Sequence, residues 1–486
     1  MDILLTFFRS SSMTFLSVLL AAAYVCLAVA TTIHILLYKE DIKGAIGWIA
    51  IVFLSPFLGT FFYVFLGINR VKRKGIKLRK KHGMLGRRSI AGKQNEFGDI
   101  TPYVKQFIDF SFNVYPQNFA QGNNIKPLLN GTEAYPEMID AISKAKKEVL
   151  VESYIFDADN ETDKFLKAFK QAAKNGAAVK VIIDGFGTLR FFRRSIEKKL
   201  AAIEGVECAV FLPPLIPISM PFVNLRNHRK IMIIDGKTAF FGGMNLSKKN
   251  VSLKDLAHGV QDITFKIEGP VIDQMSEIFE DDWEFATGHE MTGRSRYVHY
   301  GKKGGMLARV VPDGPDKNNG KIESLLHGRI NMAKNHIVIT TPYFLPENEI
   351  LTALELAAQR GVLVEVFIPE ISDHIIMNWA EEPNFKRLLK KGVKIYRTPQ
   401  PFDHSKIFIV DGEWACIGST NWDVRSFKLH FEADMEIISK NFAAKLLKIV
   451  KLKKKISKPA QLQDCLNLPF LKRLRNNAFR LITPYY

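Results

Sequence analysis

Two long apolar runs open the chain. Residues 13 to 38 (MTFLSVLLAAAYVCLAVATTIHILLY) hold no charged side chain and exceed the roughly 20 residues that a helix needs to cross a bilayer. A short polar link carries Lys39, Glu40, Asp41 and Lys43, after which residues 44 to 67 (GAIGWIAIVFLSPFLGTFFYVFLG) are again uncharged. Residues 1 to 69 are therefore expected to form a transmembrane helical hairpin. Pro56 and the glycines are compatible with a membrane helix, because neighbouring groups can satisfy the backbone they free. The first run is too long for a cleaved signal peptide, and a second run follows it closely.

Further along, the pattern changes to short β-branched runs alternating with amphipathic stretches, as in α/β proteins. It does so twice. Residues 145 to 184 run AKKEVLVESYIF, a helical stretch, then AAKNGAAVKVIID, and residues 333 to 369 run AKNHIVITTPYF, a helical stretch, then AAQRGVLVEVFIP. The segment HRKIMIIDGKTAFFGGMN at 228 to 245 returns as HSKIFIVDGEWACIGSTN at 404 to 421. A repeat of this length indicates two similar lobes facing each other, a dimer fused into one chain. The expected fold class is α/β, with a mixed β-sheet flanked by helices in each lobe. The lobes are placed at 125–300 and 301–440, between a basic juxtamembrane linker at 70–124 and a basic amphipathic tail at 441–486.

Composition supports a globular body, with 47% hydrophobic and 24% charged residues and no low-complexity tract. The net charge of +19 suggests nucleic acid until its distribution is considered. Residues 70 to 88 carry ten basic side chains (Arg70, Lys72, Arg73, Lys74, Lys77, Arg79, Lys80, Lys81, Arg87, Arg88) and no acid. Residues 440 to 480 carry twelve basic residues and one acid, Asp464. These two segments hold all the excess, and the rest of the chain is close to neutral. A near-neutral body lacks the basic groove that binding to a phosphate backbone demands, so no nucleic acid partner is expected. Basic residues clustered after a span stay cytoplasmic and attract anionic lipid, which predicts a multi-pass membrane protein with both termini and its globular body in the cytoplasm. In the tail, Phe442, Leu446, Ile449 and Val450 fall at helical spacing among lysines, a pattern that fits an interfacial helix or an ordinary solvated last helix equally well. The four cysteines, Cys26, Cys208, Cys416 and Cys465, show no framework spacing and read as free thiols in a reducing compartment.

Each copy of the later repeat contains His-x-Lys-x-x-x-x-Asp: His228, Lys230 and Asp235, then His404, Lys406 and Asp411. Positions i and i+2 of a strand project to one face, so each histidine shares a face with its lysine. Asp-Gly at 235 to 236 and at 411 to 412 predicts a hairpin turn, and the returning strand brings Asn245 or Asn421 alongside. An imidazole, an ammonium and a carboxamide suit an anionic phosphate, and two such lobes place imidazoles on opposite sides of one phosphorus. That permits in-line displacement through a covalent intermediate. Each motif Asp has odd spacing from its histidine and lies at a turn, which assigns it a structural or indirect role. An ammonium beside each histidine argues against a bound cation, so no metal and no other cofactor is expected.

The doubled motif, with Gly-Ser-x-Asn downstream, resembles that of the phospholipase D superfamily. Within it the chain is similar to bacterial cardiolipin synthases, from the hairpin ending LGINRVKRK through GSTNWDVRSFKLHFEADMEI to the tail ending LITPYY. The resemblance implies transfer of a phosphatidyl group from one phosphatidylglycerol to another, with glycerol released. It makes His228 the nucleophile and His404 the general acid and base. Lys230, Lys406, Asn245, Asn421 and Ser419 would bind phosphate, and Asp262 and Glu432 would be the carboxylates that orient the histidines. Three positions depart from the family: Gly243 replaces the usual Ser, His430 stands where Asn is usual, and Thr264 stands where many members carry His.

The motifs leave the acceptor open. Water in place of a lipid alcohol would make the protein a phospholipase D or a nuclease, and loss of chemistry would leave a membrane scaffold that binds anionic lipid. Pro213, Pro214, Pro217 and Pro221 break up the apolar stretch 211 to 223, which reads either as a lip touching the bilayer, with Pro401 and Phe402 as its counterpart, or as a packed loop.

Overall fold

A proline removes one backbone N–H and crowds the carbonyl of the preceding turn, so a helix that contains one is open to breaking there. The computed structural model, which describes residues 2–39, 41–67, 97, 100–188, 195–213, 225–291, 303–316 and 318–482, shows one unbroken run and one broken run in its first unit, Met1–Arg73. Helix α1 (Asp2–Tyr38) is unbroken, and its segment Ser17–Tyr38 is long and apolar enough to cross a membrane. The second run differs from the single span expected. Helix α2 (Ile42–Leu54) stops at Ser55, whose backbone is extended (φ −154°, ψ 85°); α3 (Pro56–Phe62) restarts on the proline, and a π-helical turn follows at Tyr63–Gly67. Pro56 has no N–H to give and its ring excludes the preceding helical carbonyl, so the limb folds as two short helices. A Cβ at Gly59 would lie 2.7 Å from the Ile51 carbonyl oxygen, so glycine permits the tight return of α3 onto α2. Polar side chains tie α1 to this limb: the Thr31 and Thr60 hydroxyls are 2.9 Å apart, and His34 Nδ1 is 2.9 Å from the Tyr63 hydroxyl. The basic collar at 70–88 lies outside the described residues.

The second unit, Lys74–Tyr486, holds both repeats. The first lobe has strands β1 (Ala120–Leu129), β2 (Glu148–Ser153), β3 (Ala178–Asp184), β4 (Val206–Phe211), β5 (Ile231–Ile234), β6 (Thr238–Gly242) and β7 (Ile263–Glu268). The second has β8 (Met306–Asp313), β9 (His336–Thr340), β10 (Leu363–Pro369), β11 (Lys394–Thr398), β12 (Ile407–Val410), β13 (Trp414–Gly418) and β14 (His430–Ile438). Spatial order is β1-β7-β6-β5-β2-β3-β4 in one lobe and β8-β14-β13-β12-β9-β10-β11 in the other, the same path twice. The last three strands of each path are parallel and the rest antiparallel, so each sheet is mixed as expected. Antiparallel pairing of β1 with β8 fuses the two into one continuous sheet. Crossover helices Thr162–Lys174 and Asn348–Gln359 bury Phe165 and Phe169, or Leu351 and Leu354, in the cores of their lobes.

Two boundaries differ from those drawn on the sequence. Helix Pro102–Val114, within the expected linker, inserts Phe107 into the second lobe's core beside Leu325 and Trp414. In the expected tail, helix Lys440–Ile456 buries Phe442, Ala443, Leu446 and Val450, and Lys458–Pro459 adds an edge strand to β11. The second lobe thus extends past residue 440. The apolar stripe of Lys440–Ile456 is taken up by the body of the second unit, with Phe442 against Phe265 of β7, which favours the ordinary last helix over the interfacial one. Pro214, Pro217 and Pro221 lie outside the described residues, whereas Phe402 is buried.

Candidate active site

A histidine acts as nucleophile or acid through one ring nitrogen only if something fixes the other. Two short strands provide this by crossing between lobes. Arg226–Asn227 pairs in parallel with His430–Phe431, and Phe402–Asp403 pairs in parallel with Val260–Gln261. The next residue in each case is a motif histidine. The His228 amide donates to the Phe431 carbonyl at 2.9 Å and the His404 amide to that of Gln261 at 2.8 Å. Each imidazole therefore stands beside the following residue of the opposite lobe. His228 Nδ1 lies 3.0 and 3.1 Å from the Glu432 carboxylate oxygens, and His404 Nδ1 lies 2.8 Å from Asp262 Oδ2. The rings face each other with centroids 6.5 Å apart and planes 80° apart, and the Lys406 ammonium lies 3.0 Å from His404 Nε2.

Each histidine and its lysine lie in the short link between the crossing strand and β5 or β12, not on a strand as expected. Lys230 Nζ donates to the His228 carbonyl and Lys406 Nζ to the His404 carbonyl, each at 2.6 Å. Burial pushes Lys406 down to about 8 and Lys230 well below its ordinary value, despite the nearby Glu432 and Asp262 carboxylates. Burial also lowers both histidines, aided by the lysine of each motif. For Glu432 burial acts upward, but His228 and His430 outweigh it and hold the carboxylate ionised far below its usual range. The resting pair is thus a neutral imidazole donating to a carboxylate. An anion placed between the lobes would raise all four basic groups at once.

The remaining expected residues divide. Asn421 is buried and its side-chain carbonyl oxygen makes no hydrogen bond; Asn245 Oδ1 accepts from the Ile155 amide at 3.3 Å. Ser419, expected on phosphate, turns its hydroxyl to Glu432 at 2.5 Å and so stands behind the histidine. Its counterpart Gly243 gives Asp262 no such donor, and a Cβ there would meet Asp262 Oδ2 and Lys406 Cδ at 3.0 Å each. Thr264 is buried within β7. Asp235 and Asp411, counted with the motif, lie at the far ends of β5 and β12, away from the imidazoles. Asp235 accepts from the amides of Lys146, Lys147 and Glu148 at 2.7 to 3.1 Å. Asp411 accepts from those of Lys334, Asn335 and His336 at 2.7 to 2.9 Å. Both adopt positive φ (51° and 53°), which aspartate tolerates at a turn.

Several neighbours were not singled out as site residues. Tyr154 packs edge-on to His228 at 4.9 Å, with Lys230 Nζ 5.2 Å from its centroid. In the other lobe, Tyr343 lies 6.0 Å from Phe402, itself 5.9 Å from His404. A tyrosine near the end of both repeated strands, ESYIF and TPYF, was the available signal. Arg229, the variable residue of the first motif, donates to the Glu432 and Asp313 carbonyls at 2.9 and 3.0 Å and pairs with Asp282, anchoring the backbone that carries Glu432. His430 adds a third imidazole 5.5 Å from His228, with no hydrogen bond at either ring nitrogen and Nδ1 3.7 Å from Glu432.

Among the described residues, His228, His430 and Glu432 form one group with potential metal-ligating atoms, all within 4.8 Å of one another. Glu432 is already shared by His228 and Ser419, and two lysines face the same space. The donor set fits an anion better than a cation.

Residues 138–283 and 326–452 match the family model described as cardiolipin synthase, phospholipase D-like domain, and residues 26–67 match that described as phospholipase D-nuclease N-terminal. The chain is 31% identical to the probable cardiolipin synthase YwiE of Bacillus subtilis (strain 168), over 88% of this chain and 85% of that one. It is 29% identical to the major cardiolipin synthase ClsA of the same organism, over 97% of this chain and 100% of that one. Among solved structures, a phosphatidylserine synthase from Haemophilus influenzae Rd KW20 shares the fold, with a TM-score of 0.62 over 78% of this chain and 100% of that one at 15% identity.

Proposed function

The chain belongs to the cardiolipin synthase family of phospholipase D-like enzymes, and from that footing we propose the reaction and the roles of its residues. The enzyme is a cardiolipin synthase: it moves the phosphatidyl group of one phosphatidylglycerol onto the glycerol headgroup of another and releases glycerol. His228 Nε2 attacks phosphorus and the bond from phosphorus to the glycerol oxygen breaks. His404, which takes up a proton at Nε2 when the phosphate anion binds, gives that proton to the oxygen. A hydroxyl of the second phosphatidylglycerol then returns a proton to His404 and attacks phosphorus, and the phosphorus–nitrogen bond to His228 breaks. One phosphodiester replaces another, so the exchange is nearly balanced and requires no nucleotide.

The crossed pairing of His228 with Glu432 and His404 with Asp262 carries this reading, because it fixes both Nδ1 atoms and aims two Nε2 atoms into one space. Glu432, kept ionised, offsets the positive charge that His228 gains on becoming phosphorylated at Nε2. Lys230, Lys406 and Asn421 bind the phosphate oxygens and offset charge developing there, with Asn245 beside them. Ser419 supports Glu432 rather than the phosphate. No residue has a step that needs a metal ion.

The protein is membrane-associated, and the first unit with the lysines and arginines of 70–88 supports two crossings with both termini in the cytoplasm. A C-terminal fusion to a reporter active only in the cytoplasm tests that orientation, and a silent reporter with the fusion present overturns it. The reaction is tested by incubating the purified full chain with phosphatidylglycerol alone. Equimolar cardiolipin and glycerol are expected; phosphatidic acid as the main product identifies a hydrolase.

A further inference from the structure

We infer that the C-terminal helix Phe470–Ile482 is a lipid-docking helix that seats the mouth of the active site on an anionic membrane surface; the inference rests on the lipid reading of that site. The helix reads FLKRLRNNAFRLI, with four basic residues and no acid. One face is used by the fold. Phe479 lies 5.1 Å from the Trp379 ring of helix Ile375–Lys390, the Arg475 guanidinium sits 4.1 Å over the same ring, and buried Asn476 bonds Glu382. Among the described residues the opposite face has no such partner: Phe470, Leu471, Leu474 and Leu481 are 66%, 75%, 56% and 74% exposed. At 100° per residue these four fall within one stripe about a quarter-turn wide, with Arg473 and Arg480 along its edge.

The direction of packing relates the stripe to the chemistry. Trp379 meets Phe479 and, further along, Glu382 meets Asn476, so the two helices run antiparallel. The end of the C-terminal helix therefore approaches the start of Ile375–Lys390, where Ile371 and Ile375 are also exposed. That end borders the site. The Tyr343 hydroxyl donates to Asp373 Oδ1 at 2.6 Å, its ring lies 6.2 Å from His374, and on its other side it meets Phe402 next to His404.

Leucines and a phenylalanine edged by arginines, with no acid among them, match a bilayer whose acyl chains take the apolar stripe and whose phosphates take the cations. Helix Lys440–Ile456 has similar composition but its stripe is already buried. The C-terminal helix leaves its own stripe uncovered, and a surface that exposes contiguous leucines marks an interaction site.

The test compares wild type with Leu471→Glu/Leu474→Glu in the full chain, on phosphatidylglycerol vesicles and on monomeric short-chain phosphatidylglycerol. The vesicle rate should fall roughly tenfold or more, while turnover of the monomeric lipid stays at the wild-type value. Equal rates on vesicles overturn the inference, and so does an equal fall on both substrates, which marks a structural role. An unchanged vesicle rate with loss of a dimer in sedimentation identifies a second copy as the occupant. Amide exchange over 470–482 in the full chain reads docking apart from turnover. Exchange should slow when phosphatidylglycerol is added to phosphatidylcholine nanodiscs, and no change counts against docking even if the enzyme is active. Wild type that docks but makes no cardiolipin counts against the synthase reading alone.

Discussion

Glu432→Gln should disable one histidine and leave the other working, and the crossing of the lobes makes this measurable. Glu432 accepts from His228 Nδ1 with both oxygens and from the Ser419 hydroxyl, and it is fully buried. Glutamine preserves the volume and removes the charge that opposes the cationic phosphoimidazole. Breaking one partner of a buried ionic pair costs about 3–5 kcal/mol, and at about 1.4 kcal/mol per factor of ten this predicts a fall in kcat of roughly 10² to 4 × 10³. Asp262→Asn should lower turnover on phosphatidylglycerol similarly, but through His404. The two variants separate on a phosphatidyl ester of p-nitrophenol, whose leaving group needs no proton. In a rapid-quench assay Asp262→Asn should recover the burst of nitrophenol as phosphatidyl-enzyme forms, and Glu432→Gln should not. Recovery in Glu432→Gln alone would exchange the roles of His228 and His404. Matching behaviour of both variants on both esters would refute the claim that each carboxylate serves one histidine.

Four further outcomes follow from the geometry. His228→Ala and His404→Ala should each abolish cardiolipin formation, and acid-labile, base-stable lipid-phosphate label trapped in wild type should map to His228; a label on serine would end the mechanism. In a pH profile of kcat/KM, the acid limb should lie below the ordinary histidine value because burial lowers His228, which attacks as the neutral imidazole, and the rate should decline at or below about pH 8, because burial also lowers His404, which must carry a proton, and Lys406 loses its own near there; a rate still rising above about pH 9 would contradict both roles. Asp235→Ala and Asp411→Ala should each cost about 1–3 kcal/mol of stability, seen as a lower Tm, because each frees several backbone amides. Their activity per folded molecule should stay near wild type, and loss of turnover at unchanged Tm would show a catalytic part. Exhaustive chelation should leave the rate unchanged, whereas loss reversed by a divalent ion would make His228, His430 and Glu432 a metal centre.

What the sequence disclosed depended on whether local chemistry determined the outcome. The duplicated lobes and the mixed sheets follow from the pattern of strands and helices, which is local, whereas each motif histidine and lysine lie in a link before a strand that pairing between the lobes positions. The break at Ser55 turned on whether the surroundings would tolerate Pro56 within a helix, and the second limb folds as two helices instead. The tail helix was left between two readings for a different reason. Phe442, Leu446 and Val450 form an amphipathic stripe that suits a bilayer or a sheet equally, and only tertiary packing showed the second lobe beneath it. The C-terminal helix, with the same kind of pattern, leaves its stripe exposed. Ser419 was placed on phosphate from its position in the motif, but its hydroxyl reaches the nearer buried charge of Glu432.

The crossed strands explain why the motif has to be doubled within one body. A single lobe carries a histidine and a carboxylate, but its histidine is backed by the carboxylate of the other lobe through bonds running from residue 228 to 432 and from 404 to 262. Separated lobes would lose the second imidazole and also the carboxylate that fixes the first. The two halves are nevertheless not equivalent. Glu432 is bidentate toward His228, braced by Ser419 and anchored through Arg229, whereas Asp262 lacks a hydroxyl from Gly243 and has Lys406 close by, with its Nζ 3.0 Å from His404 Nε2. The firmly held imidazole suits formation of a covalent bond to phosphorus. The less braced one, beside an ammonium that disfavours its proton, suits a group that must give a proton and take it back in each cycle.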